Sequence, residues 1–443
     1  MGFQQGLSGL NVAAKNLDVI GNNVSNANTV GYKESQAQFA DVYTAAQGGS
    51  SAAIGIGTKI AAVAQQFGQG NVSITSNPLD IAISGKGFFQ VDNHGATVYS
   101  RNGQFQMDKN GFIVNAQGHM LTGYQVNPKT GVVSEGSTGP LQLPTKGITP
   151  NPTSESQIGL NLDSRETAPA VAVFNPTDPA SYNRSTAMTI FDTLGNEHVL
   201  NMYFQKVPTP VNTWNTYVTV DNQPANPGAG AAGAGGAPPA PAKEGAAAAP
   251  ATPTGTLVGT LSFNSVGALA ATNPASTPLG ILDIPGGIVF ANGSSTPQPM
   301  KMDFNNSTQF GAPFGVTTLN QNGYTSGQLS GFSTSADGTI LGRYTNGQSK
   351  ALGQVVLANF ANEQGLQSLG NNEWSVSATS GQALVGRPGT ASLGILQSGA
   401  VEDSNVDLTA ELVNMIMAQR VYQANAQTIK AQDTIMQTIT NIR

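Results

Sequence analysis

Two regular apolar stripes, one at each end of the chain, are the clearest pattern in the sequence. At the amino end the apolar residues follow a seven-residue period, with smaller residues between them: Phe3, Leu7, Leu10, Ala14, Leu17, Gly21 and Val24. This alternation of three and four residues places one narrow apolar stripe along a helix. The pattern predicts an amphipathic α-helix over residues 1–24.

The carboxyl end, residues 405–443, carries the second stripe. Its members include a seven-residue series and a neighbouring apolar strip: Leu408, Leu412, Met415, Val421, Tyr422, Ala426, Ile429, Ile435, Met436, Ile439 and Ile442. Glu411 lies in the first turn, where a carboxylate favours the positive end of the helix dipole. Neither Pro nor Gly follows Gly399, so an uninterrupted helix is predicted.

Each stripe could pack its helix on the core of its own domain. Both stripes instead lie at the extreme chain ends, and they flank a sequence that is almost wholly non-helical in pattern. We therefore predict that the two stripes pair with each other and then with neighbouring copies of the chain. The predicted interface residues are Phe3, Leu7, Leu10, Leu17, Val24, Leu408, Leu412, Met415, Tyr422, Ala426, Ile429 and Met436.

Between the helices the pattern changes to short strands separated by glycine turns. An extended linker is predicted for residues 25–70, followed by a meander over residues 71–145. Its turns are His94-Gly95, Asn102-Gly103, Asn110-Gly111 and Gln117-Gly118. Such dipeptides supply the positive-φ positions of tight hairpins. A second meander is predicted within residues 321–404, and we expect the two to form one middle domain.

Residues 146–320 predict a separate, less regular and barrel-like outer β domain. The alternating segments 186–191 and 198–205 are joined there by a turn at 192–195. Residues 224–255 are rich in Pro, Gly and Ala and cannot fill a core, so they predict a surface insertion, either tolerated or used for spacing or display. The predicted fold is mainly β with α-helical coiled-coil termini, in a nested order.

Composition excludes several classes of function. The 443 residues include no cysteine, which excludes disulfides, Cys-ligated metals and thiol nucleophiles. The formal net charge of −6 and the absence of a basic stripe argue against a nucleic-acid partner. Polar residues interrupt the amino-terminal apolar positions, unlike a cleavable signal peptide. No stretch approaches the ~20 apolar residues of a membrane span, so we expect no membrane insertion.

The sequence contains no recognisable catalytic or cofactor motif. His94, His119 and His198 lie on different predicted turns or strands, without metal-ligand spacing. The segment 85–87 lacks the remaining residues of a phosphate-binding loop, and the segment 108–111 lacks the later Glu of a calcium loop. We therefore expect no enzyme activity, no metal and no cofactor.

Two terminal and two internal motifs identify a family. Residues 17–23 lead into 25–33, where the helix is closed by Asn26, Thr29, Gly31, Tyr32 and Lys33. The segments 404–408 and 419–426 match near the carboxyl end, as do 100–103 and 323–327 internally. With these motifs the chain resembles the rod and hook axial-protein family of the bacterial flagellum. The resemblance is weaker over 146–320, and the presence of that domain favours the hook type.

The resemblance implies an extracellular homopolymer in the flagellum. Terminal helices would line a central channel, and the curved tube would act as a universal joint that transmits motor torque. The implied partners are a distal rod protein, a hook cap, a hook–filament junction protein and the flagellar type III export apparatus, with no cleavable signal peptide. Phe39 and Tyr43 resemble an export-gate motif, although they could merely pack against neighbouring residues.

Three alternatives remain at the level of sequence. A distal rod or other axial subunit shares the terminal motifs but would form a straight tube. A secreted adhesin-like β protein whose helices only dimerise would form small closed oligomers. A secreted hydrolase would require a catalytic site, and the sequence contains no recognisable catalytic motif.

Overall fold

The computed structural model describes residues 2–42, 55, 57–127, 131–144, 146–226, 255–276 and 278–441. The chain divides into two compact units. The first comprises residues 1–145, 329–343 and 349–443, and the second comprises residues 146–328 and 344–348. Most of the predicted insertion 224–255 lies outside the described residues.

Two long helices occupy the chain ends in the first unit. They are α1, Gly2–Ser25, and α2, Leu408–Asn441. Asp407 caps α2, because its carboxylate accepts hydrogen bonds from the backbone N–H groups of Thr409 at 2.9 Å and Ala410 at 3.1 Å. The two helices pack against each other. The predicted fold, mainly β with helical termini, is confirmed.

Within the segment predicted as an extended linker, the described residues form a two-stranded antiparallel ribbon instead. Its strands are β1, Ser35–Val42, and β2, Gly57–Gln65. The ribbon packs along α1, where the Gln5 amide donates to the Gly55 carbonyl at 2.6 Å. Turn-forming residues around Asn26 and Gly31 suggested a linker, but the alternation of exposed and half-buried residues in β1 is typical of a strand packed on one face.

The meander of the first unit follows the ribbon. Its strands are β3, Val72–Ile74; β4, Ile81–Ser84; β5, Phe88–Asn93; β6, Ala96–Ser100; β7, Gln106–Met107; β8, Ile113–Val114; β9, Met120–Val126; and β10, Val133–Pro140. The β5–β6 hairpin turns at His94-Gly95, where both residues have positive φ. Asn102-Gly103 makes no such hairpin, since Gly103 instead approaches the backbone of Ile81.

The second unit contains two sheets around one core. The strands of this unit are β11, Glu155–Asn161; β12, Arg184–Phe191; β13, Glu197–Val207; β14, Thr213–Val220; β15, Gln223–Pro224; β16, Thr256–Phe263; β17, Leu269–Asn273; β18, Ile281–Asp283; β19, Lys301–Asp303; and β20, Gly315–Gln321. The six-stranded sheet is ordered β12-β13-β14-β16-β17 with β15 beside β14, and the four-stranded sheet β18-β19-β11-β20. Both sheets contribute to one buried cluster that includes Leu160, Phe204 and Trp214.

Later strands return to the first unit, and most of them join its main sheet. They are β21, Leu329–Thr334; β22, Thr339–Tyr344; β23, Ser349–Val355; β24, Leu357–Asn359; β25, Gln367–Gly370; β26, Glu373–Ser375; β27, Leu384–Gly386; β28, Ile395–Ser398; and β29, Ala400–Glu402. Because β23 pairs with β9, β24 with β5 and β26 with β6, the two meanders form one thirteen-stranded sheet. Strands β28 and β29 instead pair with β4 and β3, respectively, as separate two-stranded sheets. Residues 321–328, predicted within the middle domain, belong to the second unit.

The buried core of the first unit joins residues of both meanders. One cluster contains Ile81, Phe89, Ile113 and Leu121 from the first meander with Leu357 from the second. A smaller aromatic cluster joins Phe88 and Trp374 with ring centroids 5.7 Å apart in an edge-to-face arrangement. The core therefore depends on residues that are far apart in the chain.

We expect the core of the first unit to be sensitive at Ile113 and tolerant at its cross-strand partner. Ile113 is fully buried, whereas Met107, which pairs with it in register, is 43% exposed. Ile113→Ala should lower the free energy of unfolding by about 2–5 kcal/mol. Met107→Ala should change it by about 0.5 kcal/mol or less. Urea titration followed by circular dichroism measures both, and equal losses would contradict this description of the core.

Candidate functional site

The two helices meet through small and polar side chains. They run antiparallel, because Gly6 and Gly9 of α1 lie against Asn425 and Ile429 of α2, while Asn23 lies at the opposite end beside Glu411. A Cβ atom at Gly9 would stand 2.7 Å from the Asn425 Oδ1 atom. The most buried members of this seam are Ala13, Ile20, Asn23, Glu411 and Ala418. Because glycine has no side chain, the α1 backbone can approach α2 closely at these positions.

The two helices pair as predicted, but the predicted stripes contribute little of the seam: Ile429 lies against Gly6, whereas the buried Ala13, Ile20 and Asn23 of α1 belong to no predicted stripe. Phe3 is 53% exposed and Leu7 is 44% exposed, since the glycine face of α1 turns toward α2 instead. On α2 the exposed predicted residues are Leu408, Leu412, Tyr422 and Met436. The half-buried ones on the two helices are Leu10, Leu17, Val24, Met415, Ala426 and Ile429. Their predicted contacts with other copies stay a prediction.

Further apolar side chains on α2 extend this exposed surface. Val413, Ile416 and Met417 are each about half exposed, and none belongs to the predicted seven-residue series. Contiguous exposed apolar surface of this kind marks an interaction site. The signal for it was present in the sequence, because apolar residues occur around most of the α2 circumference rather than in one stripe.

A groove of about 740 Å³ lies between α1, α2 and the β1–β2 ribbon. Its apolar lining includes Val12 and Val19 of α1, Phe39 of the ribbon, and Met417 and Val421 of α2. Phe39 is 44% exposed in this groove. Tyr43, the other residue of the predicted export-gate motif, lies outside the described residues.

The predicted family motif closes α1 by hydrogen bonding. The Thr29 hydroxyl donates to the Asn26 side-chain oxygen at 3.2 Å, and the Asn26 amide donates back to the Asn22 carbonyl at 2.9 Å. The Tyr32 hydroxyl reaches the side-chain oxygens of Asn22 at 2.7 Å and Asn23 at 3.1 Å. Burial raises the pKa of Tyr32. These bonds fix the direction in which the chain leaves the helix.

Lys33 and Arg101 converge on one buried carboxylate, Glu402. The Lys33 Nζ atom lies 2.6 Å from Glu402 Oε1, and an Arg101 guanidinium nitrogen lies 3.1 Å from Oε2. All three side chains are at most 2% exposed. The Gly70 N–H also donates to Oε1, at 2.9 Å. One side chain therefore joins the end of α1, the meander and the segment before α2.

Burial lowers the pKa of Lys33, while the nearby Glu402 carboxylate raises it in part. Because the pKa of Lys33 is lowered overall, the effect of desolvation on this ammonium group exceeds the attraction of the Glu402 carboxylate. Removing ions from water is unfavourable even when they pair well, so this network contributes orientation more than net stability. It specifies which chain segments meet.

Gly31 is required by the same junction. Its φ is +72°, and its N–H donates to the Glu402 carbonyl at 2.7 Å. A Cβ atom there would stand 2.6 Å from the backbone nitrogen of Asn102. Only glycine combines this backbone conformation with this close approach.

The described residues contain no cluster of His, Asp and Glu suited to a metal ion, and no helix among them is long and apolar enough to cross a membrane. His119 contacts the Glu373 carboxylate at 2.8 Å, and His198 contacts Asp221 at 2.6 Å. Burial opposes ionisation of Asp192, but hydrogen bonds from Asn196, Asn292 and His198 outweigh it and lower the pKa of Asp192 to about 2.

Four family models match the chain in the order of its segments. They are the flagella basal body rod protein at residues 3–33, the flagellar hook protein FlgE/F/G D1 domain at 82–158, the flagellar basal body protein FlaE D2 domain at 161–324, and the flagellar basal body rod FlgEFG protein C-terminal region at 397–442. Together they match most of both terminal helices and parts of both compact units.

Similar proteins extend over the whole chain. The flagellar hook protein FlgE of Salmonella typhimurium is 41% identical over 446 residues, covering 100% of both chains. The protein of the same name from Treponema pallidum is 31% identical over 483 residues, covering 99% of this chain and 98% of its own. The crystal structure of Helicobacter pylori flagellar hook protein FlgE2 covers 74% of this chain and all of its own at a TM-score of 0.51 and 13% identity, which indicates a shared fold.

We expect Glu402→Gln to destabilise the first unit strongly, because it leaves two buried cations without their shared carboxylate. The expected loss in free energy of unfolding is about 3–5 kcal/mol. The matched control is Glu135→Gln, which removes an exposed ion pair with Arg387 and should cost about 1 kcal/mol or less. Denaturant titration distinguishes them, and a mild effect of Glu402→Gln would contradict the role of this junction.

Two glycine-to-alanine substitutions should have opposite effects on stability. Gly31→Ala should lower the free energy of unfolding by at least about 2 kcal/mol, through its positive φ and the backbone of Asn102. Gly21→Ala should raise it by about 0.5–1 kcal/mol, because Gly21 lies inside α1 with open space around it. Thermal or urea unfolding measures both signs. Stabilisation by Gly31→Ala would be incompatible with the described junction.

Proposed function

The chain belongs to the flagellar hook protein family, and we propose that it polymerises with copies of itself through its terminal helices to form the hook. The observation that carries this proposal is the exposed apolar surface of α1 and α2. The helices contact each other mainly through glycine, alanine and polar side chains, with Ile20 and Ile429, so most of their large apolar side chains remain available to neighbouring copies.

The exposed surface is large enough to support assembly. Full burial of a Leu, Ile, Met or Phe side chain contributes about 1.5–3 kcal/mol. Burial of the exposed half of such a side chain therefore contributes about 1 kcal/mol. Phe3, Leu412, Ile416, Val421 and Met436 are each about half exposed or more, and every copy would supply this surface to more than one neighbour.

We propose the finer features of the function from the same family membership. The polymer is a curved tube that transmits torque while bending, is extracellular, and contains subunits exported by the flagellar type III apparatus without a cleavable signal. The distal rod protein, hook cap and hook–filament junction protein are its proposed partners, and the Phe39 segment is the proposed export signal. A low fraction of charged residues, 10%, reduces repulsion between like copies during bending.

Polymerisation should require the exposed helix surface. We expect the double variant Leu412→Ser, Met436→Ser to remain folded but to lose assembly, because each serine removes apolar area that neighbours would bury. Ile74→Ser is the control, since Ile74 of β3 is 84% exposed but lies off the helices. Sedimentation and negative-stain microscopy of the purified chains measure assembly, and circular dichroism measures folding.

The form of the parent polymer tests the proposal independently of the variants. Curved tubes support the hook function. Straight tubes would instead identify a rod-type subunit, and small closed oligomers would contradict an axial role. Normal tubes from the double variant would contradict the role of the helix surface.

A further inference from the structure

The groove between α1, α2 and the ribbon contains two carboxylates without a cationic partner. Glu411 is 5% exposed and accepts hydrogen bonds from the neutral amides of Asn23 at 3.4 Å and Asn414 at 3.3 Å. Glu34, on the ribbon side, also lines the groove. The ion pairs among the described residues involve neither carboxylate.

The two carboxylates disfavour each other. Burial raises the pKa of Glu34, and the negative charges of Glu411 and Asp407 raise it further. The repulsion between Glu34 and Glu411, which no cation among the described residues offsets, is an electrostatic strain. A positive side chain that entered the groove would relieve this strain.

The opposite face of α2 carries the complementary charge. Arg420 lies nine residues after Glu411, which is about two and a half helical turns and therefore the opposite side of the helix. Arg420 is exposed, and no hydrogen bond or ion pair joins it to the described residues. Leu412 and Ile416, 45% and 51% exposed, flank it on this outer face, and Lys430 follows further along.

We propose that the outer face of α2 in one copy docks into the groove of a second copy, with Arg420 paired to Glu34 and Glu411 of that copy. Leu412 and Ile416 then contact the apolar lining formed by Val19, Phe39 and Met417. The groove supplies negative charge and apolar walls, and the outer face supplies positive charge and apolar side chains. The same chain carries both surfaces.

The contact is heterologous, which gives it a consequence for assembly. The outer face and the groove lie on opposite sides of α2, so two copies cannot bind each other through both surfaces at once. When the outer face of one copy binds the groove of a second, the first copy keeps a free groove and the second keeps a free outer face. Repetition of such a contact generates a closed ring if its rotation closes and an open helical polymer if it does not, and the proposed tube requires the second case. The inference rests on the proposed function and names the surfaces through which copies meet.

Charge reversal in two separate chains tests the pairing. Arg420→Glu and Glu34→Lys should each raise the critical concentration for polymerisation about tenfold or more, the size of effect expected for one close interfacial charge pair. An equimolar mixture should polymerise, because each groove then finds an outer face of opposite charge in the other variant. Arg343→Glu, an exposed reversal on β22, is the control and should leave polymerisation unchanged.

The outcomes separate this contact from the broader function. A parent chain that never polymerises contradicts the proposed function. A parent that polymerises while Arg420→Glu behaves like the parent, or a mixture that stays unassembled, overturns only the Arg420 contact.

A second measurement applies if Glu34→Lys fails to fold. Glu34→Gln in the parent should raise the critical concentration, and the same substitution in an Arg420→Glu background should have a smaller or opposite effect, because the pair is already lost. Equal effects in both backgrounds would overturn the pairing.

Discussion

The close approach of α1 and α2 through glycine and other small residues determines how the rest of the molecule is used. Gly6 and Gly9 bring the α1 backbone against Asn425 and Ile429, so most of the large apolar side chains of both helices lie outside the seam, Ile20 and Ile429 excepted. Because the two helices pack against each other mainly through small and polar side chains, most of their large apolar side chains remain exposed. In a single-copy protein this arrangement would favour aggregation, whereas in a polymer it supplies the contacts between copies.

That helix pair needs a firm attachment to the β sheet, and the Glu402 junction provides it. Lys33 arrives from the end of α1, Arg101 from the meander, and Glu402 from the strand before α2. The charges are buried at a cost in desolvation, and their pairing favours the observed arrangement of the three segments. A subunit that transmits torque requires such a joint, because a load on the helices must reach the sheet without rearranging it.

The sequence predicted the elements more completely than their contacts. Helical period and the absence of Pro and Gly identified α2, and the positive-φ pair His94-Gly95 located a hairpin. The pairing face of α1 was missed because heptad analysis ranks large apolar residues first, whereas the seam selected glycine. The Glu402 junction could not be predicted, because Lys33 and Glu402 are 369 residues apart and only the fold brings them together.

Protection of methionine on assembly tests the central claim most directly. Met417 and Met436 are 52% and 62% exposed on α2, and their thioethers can be oxidised to sulfoxides by dilute peroxide. Mass spectrometry can compare the oxidation rate at each position in the free chain and in the polymer. If neighbouring copies cover the helix surface, both residues should be oxidised much more slowly in the polymer. Equal rates in the two states would contradict the account.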